Sequence, residues 1–508
     1  MVCEVMRGNL AWAAVAWLAV AAGTVRASGP VFLQLNGDRM TIHAEHAYLR
    51  DVLKEFTRFG VHVELDPELS FRVDADFKDV RVEEALDQIL ATNSYALVWD
   101  VMKGPLGEIP RLIQMKVYRQ GRQAAVVPLR ETEVLEVVRP ESGAPYVRDE
   151  ILIGLRPGTT IRQFESLLKR IGGTPVDVSE LVGVYRVRLP PGSDVPRIVA
   201  ELREESIVAA VEPNWVVSLP EPEAAADRRQ VLDEIGGLTG RIPEPGEPGE
   251  SGVPVAVVDS GLGRLAMLNT VVVGGINVLN PHLPISDPVG HGTQMALLAS
   301  GMISPEGASA GDGVVPVIAV QAFDAHGNTS NFALIRAFEY ALRHGARVIS
   351  MSWGTATQSR FMRAAVDEAV ARDVILVAAA GNEPTGKPVY PAAFPGVIGV
   401  AALTEDGSVW KNSNFGRFVD VAAPGTARLP VGYHGGPGRY AGTSVSCAVV
   451  AHVLARYRGN NPAASAAETL SRFRRSLTDC GEVGWDPFFG AGRLDNAALA
   501  RFLRADGK

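Results

Sequence analysis

The sequence predicts an α/β fold, a three-layer domain built on a parallel sheet and preceded by small α+β domains. In the carboxyl-terminal half, short runs made almost wholly of apolar residues are typical of strands buried on both faces. These runs lie at 314–320, 348–352, 374–379 and 397–400. Segments with apolar residues at helical spacing separate them. Such alternation favours a parallel sheet covered by helices, with a ligand site at the carboxyl ends of its strands.

The composition and charge of the chain exclude several classes of protein. The chain has 508 residues and 47% hydrophobic content, so we expect several domains with sizeable cores. Its 49 basic and 57 acidic residues give a net charge of −8 without a long basic run, so no nucleic-acid partner is expected. Three cysteines are too few for a disulfide framework. Cys447 is expected to be a small buried packing residue, and a bridge to Cys480 is the alternative.

Glycine-framed motifs carry the candidate catalytic residues. Ser444 follows Gly-Thr at the start of a helical pattern, where the positive helix end favours a developing oxyanion, although a serine there can equally be a cap. Asp259 ends an apolar run, and His291 stands between two glycines that open another helix, expected over 295–302. An aspartate that orients a histidine, which takes the proton of a serine, forms a catalytic triad. Asn382 follows a further strand and can donate its amide to the oxyanion.

These motifs resemble those of the subtilisin-like serine proteases, over residues 254–501. The resemblance implies that Asp259, His291 and Ser444 form the triad and that Asn382 is the oxyanion donor. It also implies a substrate cleft lined by two segments of mostly small residues, with the substrate-binding residues Ser352, Trp353, Gly354, Ala379, Ala380 and Gly381.

Two residues depart from the family pattern. Ala448 stands where proline is usual, and Gln294 stands where a second histidine is common. Neither change removes a catalytic group.

The first 27 residues predict a signal peptide. An apolar run at 10–22 follows Arg7 and precedes small residues that suit a cut after Ala27. We therefore expect an exported protein, periplasmic or extracellular, without a membrane span once the signal is removed. A retained anchor is the alternative, for which the run is short.

Residues 31–118 contain an internal repeat. The amphipathic segment 49–56 recurs as 82–89, and alternating strands flank both, so two strand-helix-strand units are expected. The pattern resembles the short amino-terminal domains of secretins and TonB-dependent receptors. That resemblance implies a separately folding module that docks onto another envelope protein, and a folding aid is the alternative.

Residues 146–218 predict a second small α+β domain of two layers. Its strands and helices are expected at 151–155, 161–171, near Val176, and at 184–189, 195–203 and 208–211. The domain resembles the inhibitory propeptides of subtilisin-like proteases, and a permanent structural domain is the alternative. An acidic linker rich in proline and glycine, 219–250, leads to the peptidase domain at 251–504.

Together these features predict a secreted or periplasmic serine endopeptidase that hydrolyses protein or peptide substrates through an acyl-enzyme. The protein is expected to mature by cutting itself between residues 218 and 250, where exposed linkers are easily cleaved. Small uncharged residues in the cleft favour an apolar residue before the scissile bond. No cofactor is required, and structural calcium, which often stabilises the family, has no assigned site. The alternative function is a catalytically inactive, protease-like binding protein of the cell envelope.

Overall fold

The structure, a computed structural model, describes eight stretches of the chain. They are residues 31–91, 93–123, 126–129, 135–221, 223–225, 253–307, 313–433 and 436–504. The expected signal peptide, residue 222 and residues 226–250 of the expected linker lie outside these ranges.

The amino-terminal unit, residues 31–129, consists of two sheets and two helices. Its elements are β1 (Val31–Asn36), β2 (Arg39–Tyr48), α1 (Leu49–Thr57), β3 (His62–Leu65), β4 (Arg72–Arg81), α2 (Val82–Leu90), β5 (Ser94–Gly104), β6 (Gly107–Tyr118) and β7 (Val127–Pro128). The strand orders are β1-β2-β4 and β5-β6-β3-β7. The two predicted strand-helix-strand units, β2-α1-β3 and β4-α2-β5, are confirmed. Apolar faces of both helices, including Phe56 and Leu86, close one shared core.

The middle unit, residues 135–221, is a two-layer α+β fold. Its elements are β8 (Val137–Val138), β9 (Tyr146–Leu155), α3 (Ile161–Ile171), β10 (Thr174–Ser179), β11 (Val184–Arg188), α4 (Val195–Leu202) and β12 (Val208–Ser218). Thr160 and Gln163 form a capping box at the start of α3, and Gly172 ends it with a φ of 65°, as its position predicts. A short strand, β13 (Glu223–Ala225), follows the unit.

The β5-β6 hairpin joins the amino-terminal unit to the middle unit. Met102, near the end of the hairpin, is buried in the core of the middle unit. The backbone N–H of Leu106, at the turn, donates to the Tyr185 hydroxyl at 3.2 Å. In the opposite direction, Val176 of β10 is buried in the amino-terminal core. Each unit therefore completes the core of the other, so residues 31–118 are not the self-contained packing unit that the sequence suggests.

A seven-stranded parallel sheet forms the centre of the carboxyl-terminal unit, residues 253–504. Its strands are β14 (Val255–Asp259), β15 (Val272–Asn277), β16 (Val317–Gln321), β18 (Val348–Met351), β19 (Ile375–Ala379), β20 (Val397–Leu403) and β21 (Val421–Pro424). Their order is β15-β16-β14-β18-β19-β20-β21. The four parallel strands predicted from apolar runs are all confirmed. Strand β17 (Asn328–Ser330) lies outside this sheet and pairs with the end of β12.

Helices cover both faces of the sheet and complete the three layers. They are α5 (His291–Ala299), α6 (Asn331–Arg343), α7 (Arg360–Ala371), α8 (Thr443–Asn460), α9 (Ala466–Ser476) and α10 (Asn496–Leu503). One apolar core includes residues of α5 and α8, and a second includes residues of α6 and α7. A small sheet, β13-β23-β22, contains β22 (Thr426–Leu429) and β23 (Gly438–Ala441).

The start of α5 differs from the sequence prediction. The expected helix ran over 295–302, whereas α5 begins at His291 and ends at Ala299. The helix begins earlier because side chains from outside it accept hydrogen bonds from its first amides. The N–H of Gly292 donates to the Ser260 hydroxyl at 2.8 Å, and the N–H of Thr293 donates to Asp287 at 2.7 Å.

The shared core at the hairpin predicts that Met102→Ala destabilises the amino-terminal and middle units together. Loss of a buried methionine side chain should lower the free energy of unfolding by about 2 kcal/mol or more. Val101→Ala is the matched control, because Val101 is 40% exposed on the same strand. Its effect should stay within about 0.5 kcal/mol. Urea unfolding of both variants in a Ser444→Ala background measures the difference, and equal midpoints would contradict the shared core.

Candidate active site

The carboxyl end of β14 places a carboxylate against an imidazole. Asp259 is the last residue of β14, and His291 is the first residue of α5. The Nδ1 atom of His291 lies 2.7 Å from Oδ1 of Asp259, and both side chains are only 1% exposed. The backbone N–H of Ser260 donates to the same carboxylate oxygen at 2.7 Å. The aspartate therefore fixes the orientation of the imidazole in a buried setting.

Close packing of two turns holds this pair in place. A Cβ atom on Gly292 would collide with the carbonyl oxygen of Gly261, so glycine at 292 allows the turn after β14 to approach the start of α5. Asp287 accepts from the N–H of Gly290 at 2.7 Å, which fixes the turn that leads into His291. The glycines on either side of His291 thus serve its positioning.

Ser444 stands at the start of α8, beside the end of β18. Its hydroxyl donates to the carbonyl oxygen of Ser352 at 3.1 Å, and the Ser352 hydroxyl donates to the carbonyl oxygen of Ser444 at 3.1 Å. Within the described residues, Nε2 of His291 is buried and has no hydrogen-bond partner. The Asp–His half of the expected triad is therefore formed, whereas the Ser–His hydrogen bond is not made in this state.

Asn382 is held in place through its amide oxygen. Its Oδ1 atom accepts from the backbone N–H of Thr443 at 3.0 Å and from the Thr443 hydroxyl at 2.8 Å. A Cβ atom on Gly442 would lie 3.2 Å from Nδ2 of Asn382, so the small residue keeps this face open. Nδ2 makes a long hydrogen bond of 3.5 Å to the carbonyl oxygen of Glu221. The expected oxyanion donor therefore contacts a carbonyl of the chain itself.

The six expected substrate-binding residues lie on two adjacent segments at the carboxyl ends of β18 and β19. The Trp353 side chain is buried, and its Nε1–H donates to the carbonyl oxygen of Val258 at 2.8 Å, so the indole belongs to the core. Gly381 donates its N–H to the Thr443 hydroxyl at 3.2 Å, which ties the second segment to the start of α8. Ala379 and Ala380 are buried, and Ser352 and Gly354 flank the indole in sequence.

Residues 216–219 and 223–225, which the sequence analysis did not assign to the site, pair with strands beside it. The last three residues of β12 pair antiparallel with β17, and the N–H of Leu219 donates to the carbonyl oxygen of Gly327 at 2.9 Å. Further on, β13 pairs antiparallel with β23, which leads to Ser444. Glu221 lies between these two ladders. The sequence analysis expected this strand only over 208–211, whereas β12 continues to Ser218 because its last residues pair with β17.

The middle unit docks on the start of α6 and the start of α7. The Glu212 carboxylate accepts from the Ser359 hydroxyl and, at 3.1 Å, from the backbone N–H of Arg360. The Asn214 side chain accepts from the backbone N–H of Phe332 at 3.1 Å. Acceptors at helix N-termini satisfy free amides and complement the helix dipole. Burial raises the pKa of Glu212, although these hydrogen bonds act in the opposite direction.

Two other sequence expectations concern cysteines and metals. Cys447 is free and fully buried, and burial raises the pKa of its thiol to about 11, which confirms the packing role. Cys480 is free as well, so the alternative bridge is wrong.

In the part of the chain that the structure describes, no group of three or more His, Cys, Asp or Glu side chains could hold a metal ion. None of the helices in that part is long and apolar enough to cross a bilayer.

Comparison with known proteins agrees with this geometry. Residues 250–492 match the model of the subtilase family, and residues 132–214 match that of the fervidolysin N-terminal prodomain. Subtilisin Savinase from Lederbergia lenta is 30% identical over 293 residues, which are 56% of this chain and 98% of that protein. Alkaline elastase YaB from Bacillus sp. (strain YaB) is 26% identical over 360 residues, 70% of this chain and 93% of the relative.

Other relatives match over a smaller share of their length. The minor extracellular protease Epr from Bacillus subtilis (strain 168) is 30% identical over 253 residues, which cover 49% of this chain but only 38% of Epr. The crystal structure of fervidolysin from Fervidobacterium pennivorans, a keratinolytic enzyme related to subtilisin, shares the fold with a TM-score of 0.56. It is 23% identical and covers 70% of this chain and 61% of that one.

The chain therefore belongs to the subtilase family. Within that family it is a subtilisin-like serine endopeptidase that carries a fervidolysin-type prodomain, which overlaps most of the middle unit. The resemblance of residues 31–118 to secretin and receptor domains stays a prediction.

The raised pKa of Glu212 predicts that docking of the middle unit depends on pH. Because the docked carboxyl has a pKa above its ordinary value of 4.5, docking favours its protonated form. Affinity should be greatest below that ordinary value and should fall as the pH rises through the raised pKa. Glu212→Gln should remove this part of the pH dependence. The measurement is the inhibition constant of residues 31–221 against the matured enzyme from pH 4 to 8.

The control for this experiment is Glu204→Gln, because Glu204 is an exposed glutamate of the same unit. It should keep the pH dependence of the wild type. If Glu212→Gln and Glu204→Gln give the same slope of affinity against pH, the buried carboxyl does not govern docking.

Proposed function

We propose that the protein is an exported serine endopeptidase that hydrolyses peptide bonds through an acyl-enzyme on Ser444. The observation that carries this proposal is the buried Asp259–His291 hydrogen bond of 2.7 Å, at the same sheet edge as Ser444 and Asn382. An imidazole fixed by an aspartate, with its second nitrogen unpartnered among the described residues, suits a general base.

Each residue has a defined part in the proposed reaction. Ser444 turns its hydroxyl from the Ser352 carbonyl to Nε2 of His291, which takes the proton as the oxygen attacks the substrate carbonyl. Asp259 stabilises the imidazolium that forms, and Nδ2 of Asn382 donates to the oxyanion. His291 then gives the proton to the leaving amine, and water hydrolyses the ester by the same route in reverse.

We also propose that the middle unit is an inhibitory prodomain that the enzyme removes itself. Support comes from the contacts at the starts of α6 and α7 and from the pairing of its last strand with β17, beside the cleft. A substrate that lies extended along β17 would use the same backbone groups. Release of the prodomain is therefore required before a foreign peptide can enter.

Substrate and location are further parts of the proposal. Small, uncharged residues in the cleft segments favour an apolar residue before the scissile bond, within protein or peptide substrates. Two roles are proposed for residues 31–118, which are the binding of another envelope protein and support of the prodomain. The shared core at Met102 favours the second role. An inactive binding scaffold is less favoured, because the carboxylate, the imidazole, the hydroxyl and the amide are all present.

The test compares wild type with Ser444→Ala by casein hydrolysis and intact mass after expression in one host. Wild type should hydrolyse casein and lose about half of its sequence from the amino terminus, because exposed connections such as the linker are the ones cleaved. Ser444→Ala should stay joined and inactive, because it lacks the nucleophile.

Ser446→Ala is the matched control for Ser444→Ala. The Ser446 hydroxyl is buried in the same helix and donates to the carbonyl oxygen of Ala423 at 2.9 Å, away from the reacting groups. This variant should mature and hydrolyse casein. Maturation of Ser444→Ala at the same bond and rate would rule out self-cleavage, and an inactive matured wild type would rule out the peptidase.

A further inference from the structure

Residues 481–490 form a loop beside β21 that exposes apolar side chains. Val483, Trp485 and Phe488 are 97%, 46% and 39% exposed, and these three side chains are called the loop surface below. All other Phe, Tyr and Trp side chains in the described part of the peptidase unit are buried or half-buried. Aromatic side chains contribute most when they are buried, so two exposed rings in one loop indicate a site of interaction.

The loop holds these rings in fixed positions. The carboxylate of Asp486 is buried and accepts from the backbone N–H of Phe488 at 2.7 Å. The backbone N–H and carbonyl of Asp486 both pair with Gly490, at 2.8 and 2.7 Å. The indole Nε1–H of Trp485 donates to the carbonyl oxygen of Val419 at 3.2 Å. Because the rings are already ordered, a ligand that covers them causes little further loss of conformational entropy.

A half-buried ring joins the loop surface to the substrate cleft. The Phe415 ring stacks on the Phe488 ring, with centroids 4.7 Å apart and an angle of 28° between the planes. A Cβ atom on Gly386 would lie 3.2 Å from the Phe415 ring, so this ring packs directly on the segment that follows Asn382. Gly386 is four residues after Asn382, which places their Cα atoms at most about 14 Å apart.

The residue before Phe415 fixes the same segment from below. Asn414 is buried, and its backbone N–H donates to the carbonyl oxygen of Gly381 at 2.9 Å. Its side-chain oxygen accepts from the N–H of Gly386 at 3.0 Å, and its Nδ2 donates to the carbonyl oxygen of Lys387 at 3.0 Å. The two sides of the expected oxyanion donor are therefore tied to the base of the loop surface, and the surface is continuous with the wall of the cleft.

We propose that Val483, Trp485 and Phe488 form a second binding surface for protein substrates, which holds an apolar stretch of the polypeptide whose peptide bond lies at Ser444. This inference rests on the proposed function and specifies its substrate class. An extended substrate spans about 20 Å in six residues, which is enough to reach from the scissile bond to Phe488. Folded proteins bury most of their large apolar side chains, so the preferred substrates are unfolded or partly unfolded polypeptides.

The size of the loop surface favours a substrate over a second copy of the chain. A stable interface between two proteins takes about 20 to 30 residues from each side, whereas this surface consists of three side chains. A substrate that is already held in the cleft makes the second contact within one complex, so a few aromatic contacts add appreciable affinity.

The first experiment compares two internally quenched peptides on the matured wild type and on Phe488→Ala. The peptides share the residues around the scissile bond, and their flanks of about eight residues contain either Leu and Phe or Ser and Gln. Wild type should have a KM at least about tenfold lower for the apolar flanks, with similar kcat. Phe488→Ala should lose most of this preference. A tetrapeptide p-nitroanilide is too short to reach the loop, so both enzymes should hydrolyse it equally.

A pair of valine variants gives a test that does not depend on the stacked rings. Val483→Ser changes a side chain that is almost fully exposed, so the fold is kept, and the preference for apolar flanks should fall about threefold. Val273→Ser is the control, because Val273 is an exposed valine of β15, at the edge of the sheet opposite β21. This control should keep the preference of the wild type.

The outcomes separate this inference from the function on which it rests. If the matured wild type hydrolyses neither the peptides nor the p-nitroanilide, the proposed function fails and the inference fails with it. If wild type hydrolyses all three substrates but shows equal KM for the two flanks, only the inference is overturned. It is also overturned if Phe488→Ala slows the p-nitroanilide as much as the long peptides.

Sedimentation of the matured enzyme tests the other occupant of the loop surface. Wild type should be a monomer at the concentrations of the peptide assay. A dimer that Phe488→Ala dissociates would assign the surface to a second copy and would overturn the proposal.

Discussion

The Asp259–His291 hydrogen bond is the interaction on which the rest of the site depends. A carboxylate that is 1% exposed must have polar partners, and here the imidazole and one backbone amide supply them. Loss of the imidazole would leave this buried carboxylate without its side-chain partner, which costs more than loss of an exposed hydrogen bond. The parallel sheet makes this arrangement possible, because β14, β18 and β19 all end at the edge where Asp259, Ser352 and Asn382 are found.

Occupation of the cleft by the chain itself links the three units of the protein. The middle unit satisfies the free amides at two helix starts, and its last strand becomes a strand beside the cleft. The amino-terminal unit in turn closes part of the middle unit's core through Met102. A continuous series of contacts therefore runs from the β5-β6 hairpin to the carbonyl of Glu221.

The sequence predicted the peptidase sheet well because its strands are buried on both faces and carry continuous apolar runs. The candidate triad residues were recognisable since each stands in a short glycine-framed motif at a strand end or a helix start. The start of α5 was placed too late, because Ser260 and Asp287 cap it from elsewhere in the chain. The joint at Met102 and Val176 was missed since an apolar residue in a strand does not reveal which core it enters. The side-chain rotation of Ser444 toward Ser352 and the contact between Asn382 and Glu221 depend on packing between distant segments, which no local pattern records.

The central claim is that Asp259 and His291 together activate Ser444, and fluorophosphonate labelling tests it most directly. The matured wild-type enzyme should acquire one phosphonate on the peptide that contains Ser444. Asp259→Asn keeps the size of the side chain but no longer favours the required imidazole tautomer, so the rate of labelling should fall at least about 1000-fold. Equal labelling rates in the two proteins, or no labelling of Ser444 in the wild type, would contradict the account.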